Sequence, residues 1–78
     1  MKIRDEDKLN KRRALAFYKE KLIVHIVKIY KEKEIFYNGR ILKVDDDFFV
    51  IHDREDGAKV VFFFELKNPI VEFEEVEK

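Results

Sequence analysis

The spacing of apolar positions changes once along the chain, near residue 21. Before that point an apolar residue recurs every three or four positions, which is typical of an amphipathic helix. The apolar residues that share one face are Ala14, Phe17 and Tyr18, with Leu15 at its edge. Asp5 or Asp7 can cap the first turn, where acidic side chains stabilise free N–H groups. The pattern predicts a helix over residues 5–20, laid on an apolar surface.

After residue 21 the pattern is that of β-strands separated by short polar turns. Residues 22–30 are apolar on both faces, which predicts a strand covered by the helix on one side and by the core on the other. A glycine inside a strand commonly marks a bend or bulge, and Gly39 stands in the middle of the second strand. The predicted strands are residues 22–30, 34–44, 48–53, 58–64 and 70–73.

One helix followed by five short strands predicts a mainly β fold: a single domain in which a strongly bent five-stranded antiparallel barrel follows the helix. The barrel is expected over residues 22–73, with a charged tail over residues 74–78. The chain is 46% hydrophobic and has eight Phe residues, enough for one modest core despite 44% charged residues.

Several absences restrict the class of protein. There is no Cys, so disulfides and thiolate metal sites are excluded, and no apolar run is long enough to span a membrane. The start of the chain has no secretory signal pattern, so a cytoplasmic location is expected. Ser, Thr and Gln are also absent, while Lys and Glu are abundant. This composition favours a thermophilic source, an archaeon in our interpretation, over codon bias alone.

The zero net charge conceals an uneven distribution. Residues 1–43 hold 13 Lys and Arg against 6 Asp and Glu, whereas residues 44–78 hold 4 against 11. Either the two halves pair their charges in the fold, or a basic helix face lies beside an acidic edge and binds anions or a second copy of the chain.

Catalysis and metal binding have little support in the sequence. Ser, Thr and Cys nucleophiles are absent, and the two glycines form no phosphate loop. The run of three acids at residues 45–47 could hold a divalent cation, but consecutive side chains on a turn diverge, so turn formation is the expected role. His25 and His52 have no further ligand at a suitable offset. No enzyme activity, cofactor or metal is predicted.

The segment of residues 38–51 resembles the first motif of the Sm/LSm superfamily, most closely its Hfq branch. Gly39, Ile41, Asp45 and Phe48 fall at the motif's positions for the bend glycine, the apolar residue two later, the turn aspartate and the start of the third strand. The resemblance spans roughly residues 9–73. It implies an Sm-like (SH3-like) barrel, assembled as a homo-oligomeric ring of six or seven subunits, that binds single-stranded RNA.

The resemblance also implies which residues meet RNA. Phe48 could stack a base, and Asp45 could fix the turn. Phe49 stands where the family has a base-contacting Asn, and a run of three Phe replaces its second motif, so relaxed sequence preference is expected. The cations expected to contact phosphates lie on and after the helix, near the family's arginine-rich rim: Arg12, Arg13, Lys19 and Lys21.

In such rings the fourth strand of one subunit pairs with the fifth strand of the next. The residues expected at this interface are Phe62, Phe63, Phe64, Ile70 and Val71. Strand side chains alternate between faces, so the three Phe residues cannot all point inward, and Phe63 is predicted to face outward. The alternative hypothesis is a protein-interaction module on the same barrel, with the RNA site lost and with Phe63 and the acidic last strand docking a partner.

Overall fold

In the computed structural model the chain forms one helix and a five-stranded antiparallel sheet, and the structure describes residues 5–73. The predicted tail at residues 74–78 lies outside this range. Among the described residues no helix is long and apolar enough to cross a membrane. The elements are α1 (Asp5–Glu20), β1 (Ile23–Tyr30), β2 (Lys33–Val44), β3 (Phe48–Asp53), β4 (Gly57–Phe62), a 3-10 turn (Phe63–Glu65) and β5 (Val71–Glu72).

Helix α1 has the predicted bounds. Its first turn is acidic and its last turn carries Lys19, an arrangement that complements the helix dipole. At its end the Lys21 N–H donates to the Tyr18 carbonyl (3.2 Å) and the Leu22 N–H to the Phe17 carbonyl (3.2 Å). This is the Schellman arrangement, with Lys21 in the left-handed region (φ 57°) where glycine is usual. The chain therefore reverses abruptly into β1.

The order of strands in the sheet is β4-β3-β2-β1-β5, so β4 and β5 are its two edges. The long strand β2 is shared between the two halves of the sheet. It pairs with β1 from Lys33 to Arg40 and with β3 from Gly39 to Val44, so only Gly39 and Arg40 have partners on both sides.

The sheet curls, as predicted. The segment directly after β4 returns to β1, where Leu66 forms an isolated bridge with Lys28 and the Lys67 N–H donates to the Val27 carbonyl (2.9 Å). Residues that follow one edge strand therefore contact a strand three positions away in the sheet. Within residues 5–73, β4 and β5 do not pair with each other, so the bent sheet remains open.

The bend involves two neighbouring features of β2. At Gly39 the backbone of β3 approaches so closely that a Cβ atom would lie 1.8 Å from the His52 carbonyl oxygen. Two residues later the register with β3 shifts between Ile41 and Lys43, which marks a bulge at Leu42. The glycine thus permits the close approach, and the irregularity in pairing follows it.

The core lies between the concave face of the sheet and the helix. Phe49, Ile51, Val61 and Ile70 are completely buried there. The helix contributes Ala14 and the half-buried Phe17.

Several details differ from the predictions. The helix lies mainly against β2, and the outer face of β1 leaves Ile23 and Ile29 exposed, so β1 is not covered on both faces. Tyr18 is also exposed, and the polar Asn10 is buried on the helix face in its place. Asn10 Oδ1 accepts the Ile70 N–H (3.4 Å), which explains how an amide is tolerated there.

The end of β4 also differs from the predicted strand at residues 58–64. The strand ends at Phe62 because the chain turns into the 3-10 segment, where the Phe63 N–H donates to the Asp47 carbonyl (3.0 Å). The predicted outward orientation of Phe63 is wrong: this side chain is only 3% exposed, whereas Phe62 and Phe64 are 38% and 60% exposed.

Candidate nucleic-acid interface

The outer face of α1 carries three aligned cations. Lys8, Arg12 and Lys19 are exposed and separated by four and seven residues, a spacing that places them on one side of a helix. No carboxylate of residues 5–73 forms an ion pair with them. Two of the predicted phosphate contacts, Arg12 and Lys19, therefore lie together and are accessible.

The other two predicted cations have structural roles as well. The Arg13 guanidinium donates to the Ile70 carbonyl (3.4 Å) and so ties the helix to the segment before β5. Lys21 is exposed, but it occupies the strained position that ends the helix. A substitution at either residue would change the stability of the fold as well as the surface charge.

The turn between β2 and β3 lies close to the helix. Lys11 Nζ is 2.7 Å from Asp46 Oδ1, and this hydrogen bond and the lysine charge hold the pKa of Asp46 below its usual range. Asp45 Oδ1 accepts the Asp46 N–H (2.7 Å), as in an aspartate-stabilised turn. Asp45 thus stabilises the turn, and Asp46 holds the turn to the helix. Within residues 5–73, no group of three or more His, Asp or Glu side chains is placed to hold a metal ion.

A row of aromatic side chains runs from this turn along the β4 edge. The ring centroids of Phe48 and Phe62 are 5.6 Å apart, and those of Phe62 and Phe64 are 5.5 Å apart. Lys43 Nζ lies 5.9 Å from the centre of the Phe48 ring. The structure therefore brings Phe48, the predicted stacking residue, into contact with Phe62, which in turn contacts Phe64, and it places Lys43 beside the Phe48 ring. Such a row can stack bases or pack against another protein.

Three of the predicted site residues are core residues instead. Phe49 and Ile70 are completely buried, and Phe63 packs against Phe49 with ring centroids 5.5 Å apart. The alternation of side chains along β3 explains the burial of Phe49, because Phe48 and Phe49 must face opposite sides of the sheet. Phe49 is therefore not available to a base, and the accessible interface candidates are Phe62, Phe64 and Val71.

Some charges of the two halves pair across the fold, as in the first of the two arrangements expected from the sequence, whereas Lys8, Arg12 and Lys19 on the helix take no part in these pairs. The ion pairs that join a residue before position 44 to one after it are Lys11–Asp46, Lys28–Glu65, Lys43–Asp45 and Lys67–Glu34.

A second group of basic side chains was missed from the sequence because its members are far apart in the chain. Arg40, His52 and Arg54 line a cleft of about 280 Å³ on the outer face of the sheet. Arg40 and His52 are direct cross-strand partners. The alternation of polar and buried residues in the two strands was visible in the sequence, but the pairing of position 40 with position 52 was not.

The two histidines have different surroundings. The Nδ1–H of His25 donates to Asn38 Oδ1, its cross-strand partner, and the His25 ring stacks on Phe36 with centroids 6.0 Å apart. His52 is exposed in the cleft beside Arg40. Comparison with known proteins gives no further assignment: no family model matches the chain, and no curated protein and no solved structure matches it either.

Proposed function

We propose that this chain is an Sm-like, cytoplasmic protein that assembles into a ring through the edges of its sheet and binds single-stranded RNA with relaxed sequence preference. The observation that carries the proposal is the strand order β4-β3-β2-β1-β5, which leaves the fourth and fifth strands as the two edges. These are the strands that join neighbouring subunits in the Sm-like rings that the sequence resembles. An edge strand has unpaired N–H and C=O groups that a second chain can complete.

The side chains at these edges support assembly. Phe62 and Phe64, whose rings are in contact, lie exposed at the β4 edge, and exposed apolar residues that adjoin in this way are typical of contact sites. Val71 is an exposed apolar residue on the other edge. Strand pairing between copies would cover them. A ring would also repeat the helix cations of each subunit around one surface, and repeated cations bind a polyanion far more strongly than isolated ones.

Assembly is tested by the mass of the native protein in solution, measured by light scattering with and without oligo-uridine. A mass of six or seven subunits is expected. Phe62→Glu with Phe64→Glu should reduce it, because charges would replace the apolar edge, whereas Leu9→Glu, the same kind of change at an exposed helix position, should not. A monomer in the unaltered protein would refute the ring.

RNA binding is tested with Arg12→Ala combined with Lys19→Ala, which avoids the structural role of Arg13. We expect affinity for oligo-uridine and oligo-adenosine to fall alike, by about tenfold, and the salt dependence to weaken by about 0.7 per lost phosphate contact. The matched control is Lys31→Ala with Lys33→Ala, which removes two exposed cations, one from the β1–β2 turn and one from the first residue of β2. Equal affinity in the two double variants would contradict the proposed helix surface.

The alternative is a protein-interaction module, and the aromatic row on β4 favours it as the second candidate. Phe64 is 60% exposed, and a protein partner could cover this row as well as a second copy could. A monomer or dimer that ignores RNA at low salt would support this function over the first.

A further inference from the structure

The cleft on the outer face of the sheet combines donors with an apolar wall. It has a volume of about 280 Å³, and its lining residues are Ile23, Gly39, Arg40, Leu42, His52 and Arg54. It lies where β2 is paired on both sides, so its walls come from three adjacent strands and the turn after β3.

The strand register brings the polar groups together. Arg40 has Ile23 as its partner on β1 and His52 as its partner on β3, and all three side chains are exposed. Direct cross-strand partners have Cβ atoms about 5 Å apart, so the guanidinium and the imidazole can reach one small ligand. Arg54 completes the group from the turn, where its guanidinium lies 5.7 Å from the centre of the Phe73 ring.

Neither Arg40 nor Arg54 forms an ion pair with a carboxylate of residues 5–73, unlike the cations of the four ion pairs. The chain has 17 Asp and Glu for 17 Lys and Arg, so carboxylates are not scarce. Two guanidinium groups that line one cleft repel each other, and an anion bound between them would reduce this repulsion.

A second, acidic cleft adjoins the first. It has a volume of about 470 Å³, shares Arg54, and is lined by Phe36, Asn38, Asp53, Glu55 and Asp56. An anion is repelled by these carboxylates and is therefore directed to the side of Arg40 and His52. The exposed ring of Phe36, backed by His25, offers a stacking surface on the acidic side.

We propose that the cleft between Arg40, His52 and Arg54 binds the phosphate group of a small phosphomonoester, of which a nucleoside monophosphate is the best fit. The two guanidinium groups hold the phosphate oxygens, because their planar donor pairs match a phosphate in geometry and charge. Ile23 and Leu42 contact the adjoining sugar. The volume of about 280 Å³ lies just below the usual range for ligand pockets, which suits a ligand no larger than a single nucleotide. The site is independent of the proposed RNA surface on α1.

Titration of the full chain with adenosine 5′-monophosphate, followed by NMR of the backbone amides, tests the assignment. We expect saturable shifts around Arg40, His52 and Arg54, and none with adenosine, which lacks the phosphate. If inorganic phosphate shifts the same amides and binds with equal affinity, the anion site is supported and free phosphate is its ligand. Adenosine binding as tightly as the monophosphate would overturn the proposal. The absence of shifts at these three residues at monophosphate concentrations up to about 10 mM would also overturn it, because a site with millimolar affinity would be largely occupied at that concentration.

The variant Arg40→Ala should weaken monophosphate binding by about tenfold or more, because one bidentate donor is lost. Lys33→Ala removes an equally exposed cation from the start of β2 and should leave the affinity unchanged. If Arg40→Ala does not fold, as judged by circular dichroism, Arg54→Ala serves as the second variant with the same expectation. A folded Arg variant that binds as tightly as the Lys33 variant would refute the site, whatever the outcome of the RNA experiments.

Discussion

Gly39→Ala tests the bend on which the fold depends. A Cβ atom at this position would lie 1.8 Å from the His52 carbonyl oxygen, 2.7 Å from its carbon and 3.3 Å from the Asp53 Cα. All three atoms belong to the backbone of β3, so no side chain can rotate away to make room. To reach an ordinary contact distance, β2 and β3 would have to separate locally by more than about 1 Å, and closely packed interiors resist such shifts.

The destabilisation follows from what this separation disrupts. The pairs Gly39↔Asp53 and Arg40↔His52 are adjacent in the ladder, and each hydrogen bond lost there removes about 0.5–1.5 kcal/mol net. Overpacking of a well-packed site costs about 1–3 kcal/mol in addition. If two ladder hydrogen bonds are lost, Gly39→Ala should lower the free energy of unfolding by about 2–6 kcal/mol, a large part of the roughly 4–12 kcal/mol typical for a chain of this length.

Gly57→Ala is the matched control, because a Cβ atom there would have nothing within 4 Å. Gly57 has φ +80°, so alanine would suffer only a conformational cost of about 1–2 kcal/mol. Urea denaturation followed by far-ultraviolet circular dichroism would give both values. If Gly39→Ala is no more destabilising than Gly57→Ala, the backbones of β2 and β3 do not approach each other closely at Gly39.

Three further predictions concern the helix and the β3–β4 turn. Lys21→Gly should raise the free energy of unfolding by about 0.5–1 kcal/mol, because glycine adopts positive φ without strain; a lower thermal midpoint would contradict this. Asn10→Ala should cost about 1–3 kcal/mol in urea denaturation, because the buried Ile70 N–H loses its acceptor, and an unchanged midpoint would refute that role. Burial alone would raise the pKa of Asp53, but backbone N–H donors from Asn38, Asp56 and Glu55, with the charge of Lys59, outweigh it and lower the pKa. The ionised Asp53 therefore contributes fully to the stability of the fold above its unfolded pKa, near 3.8. This contribution is lost as the pH falls through the lower pKa of the folded protein. Asp53→Asn should be less stable at neutral pH and should show a smaller loss of stability in acid, as measured by urea denaturation at several pH values.

The helix and the first three strands could be predicted from the sequence because each has an unambiguous local signal. The acids of the first helical turn and the absence of glycine marked α1, whose bounds are those predicted. The polar turns marked the strands, and β3 also has its predicted bounds. β1 and β2 differ from prediction by one residue at one end each.

The orientation of residues 58–64 could not be predicted in the same way. Val60 and Val61 are both apolar, and so are the three Phe residues that follow. Alternation alone therefore allows either the even-numbered or the odd-numbered side chains to face the core. The pairing of Phe49 with Val61 decides it, because it places Val61 in the core and leaves Val60 and Phe62 outside.

The candidate sites were predictable only where they depend on consecutive residues. The aligned helix cations follow from a single periodicity. The cleft depends on the register of three strands, since Arg40 meets both Ile23 and His52 only through pairing between distant segments. A shift of one residue in either ladder would place Arg40 beside other partners, and the exact register depends on the turn geometry and on the bulge at Leu42 as well as on the apolar pattern.

The way in which β2 is shared limits how this protein can be divided. Gly39 and Arg40 are the only residues of β2 that are paired on both sides. The β1–β2 hairpin and the β2–β3–β4 meander therefore have this one strand in common. A cut within this strand would leave both fragments without a complete hairpin, and we expect neither to fold alone. The two-residue turn at Lys31 and Glu32 lies at the far end of the hairpin from this junction. New chain termini or a fused tag would therefore be tolerated there, and the strand that follows would still reach both of its neighbours.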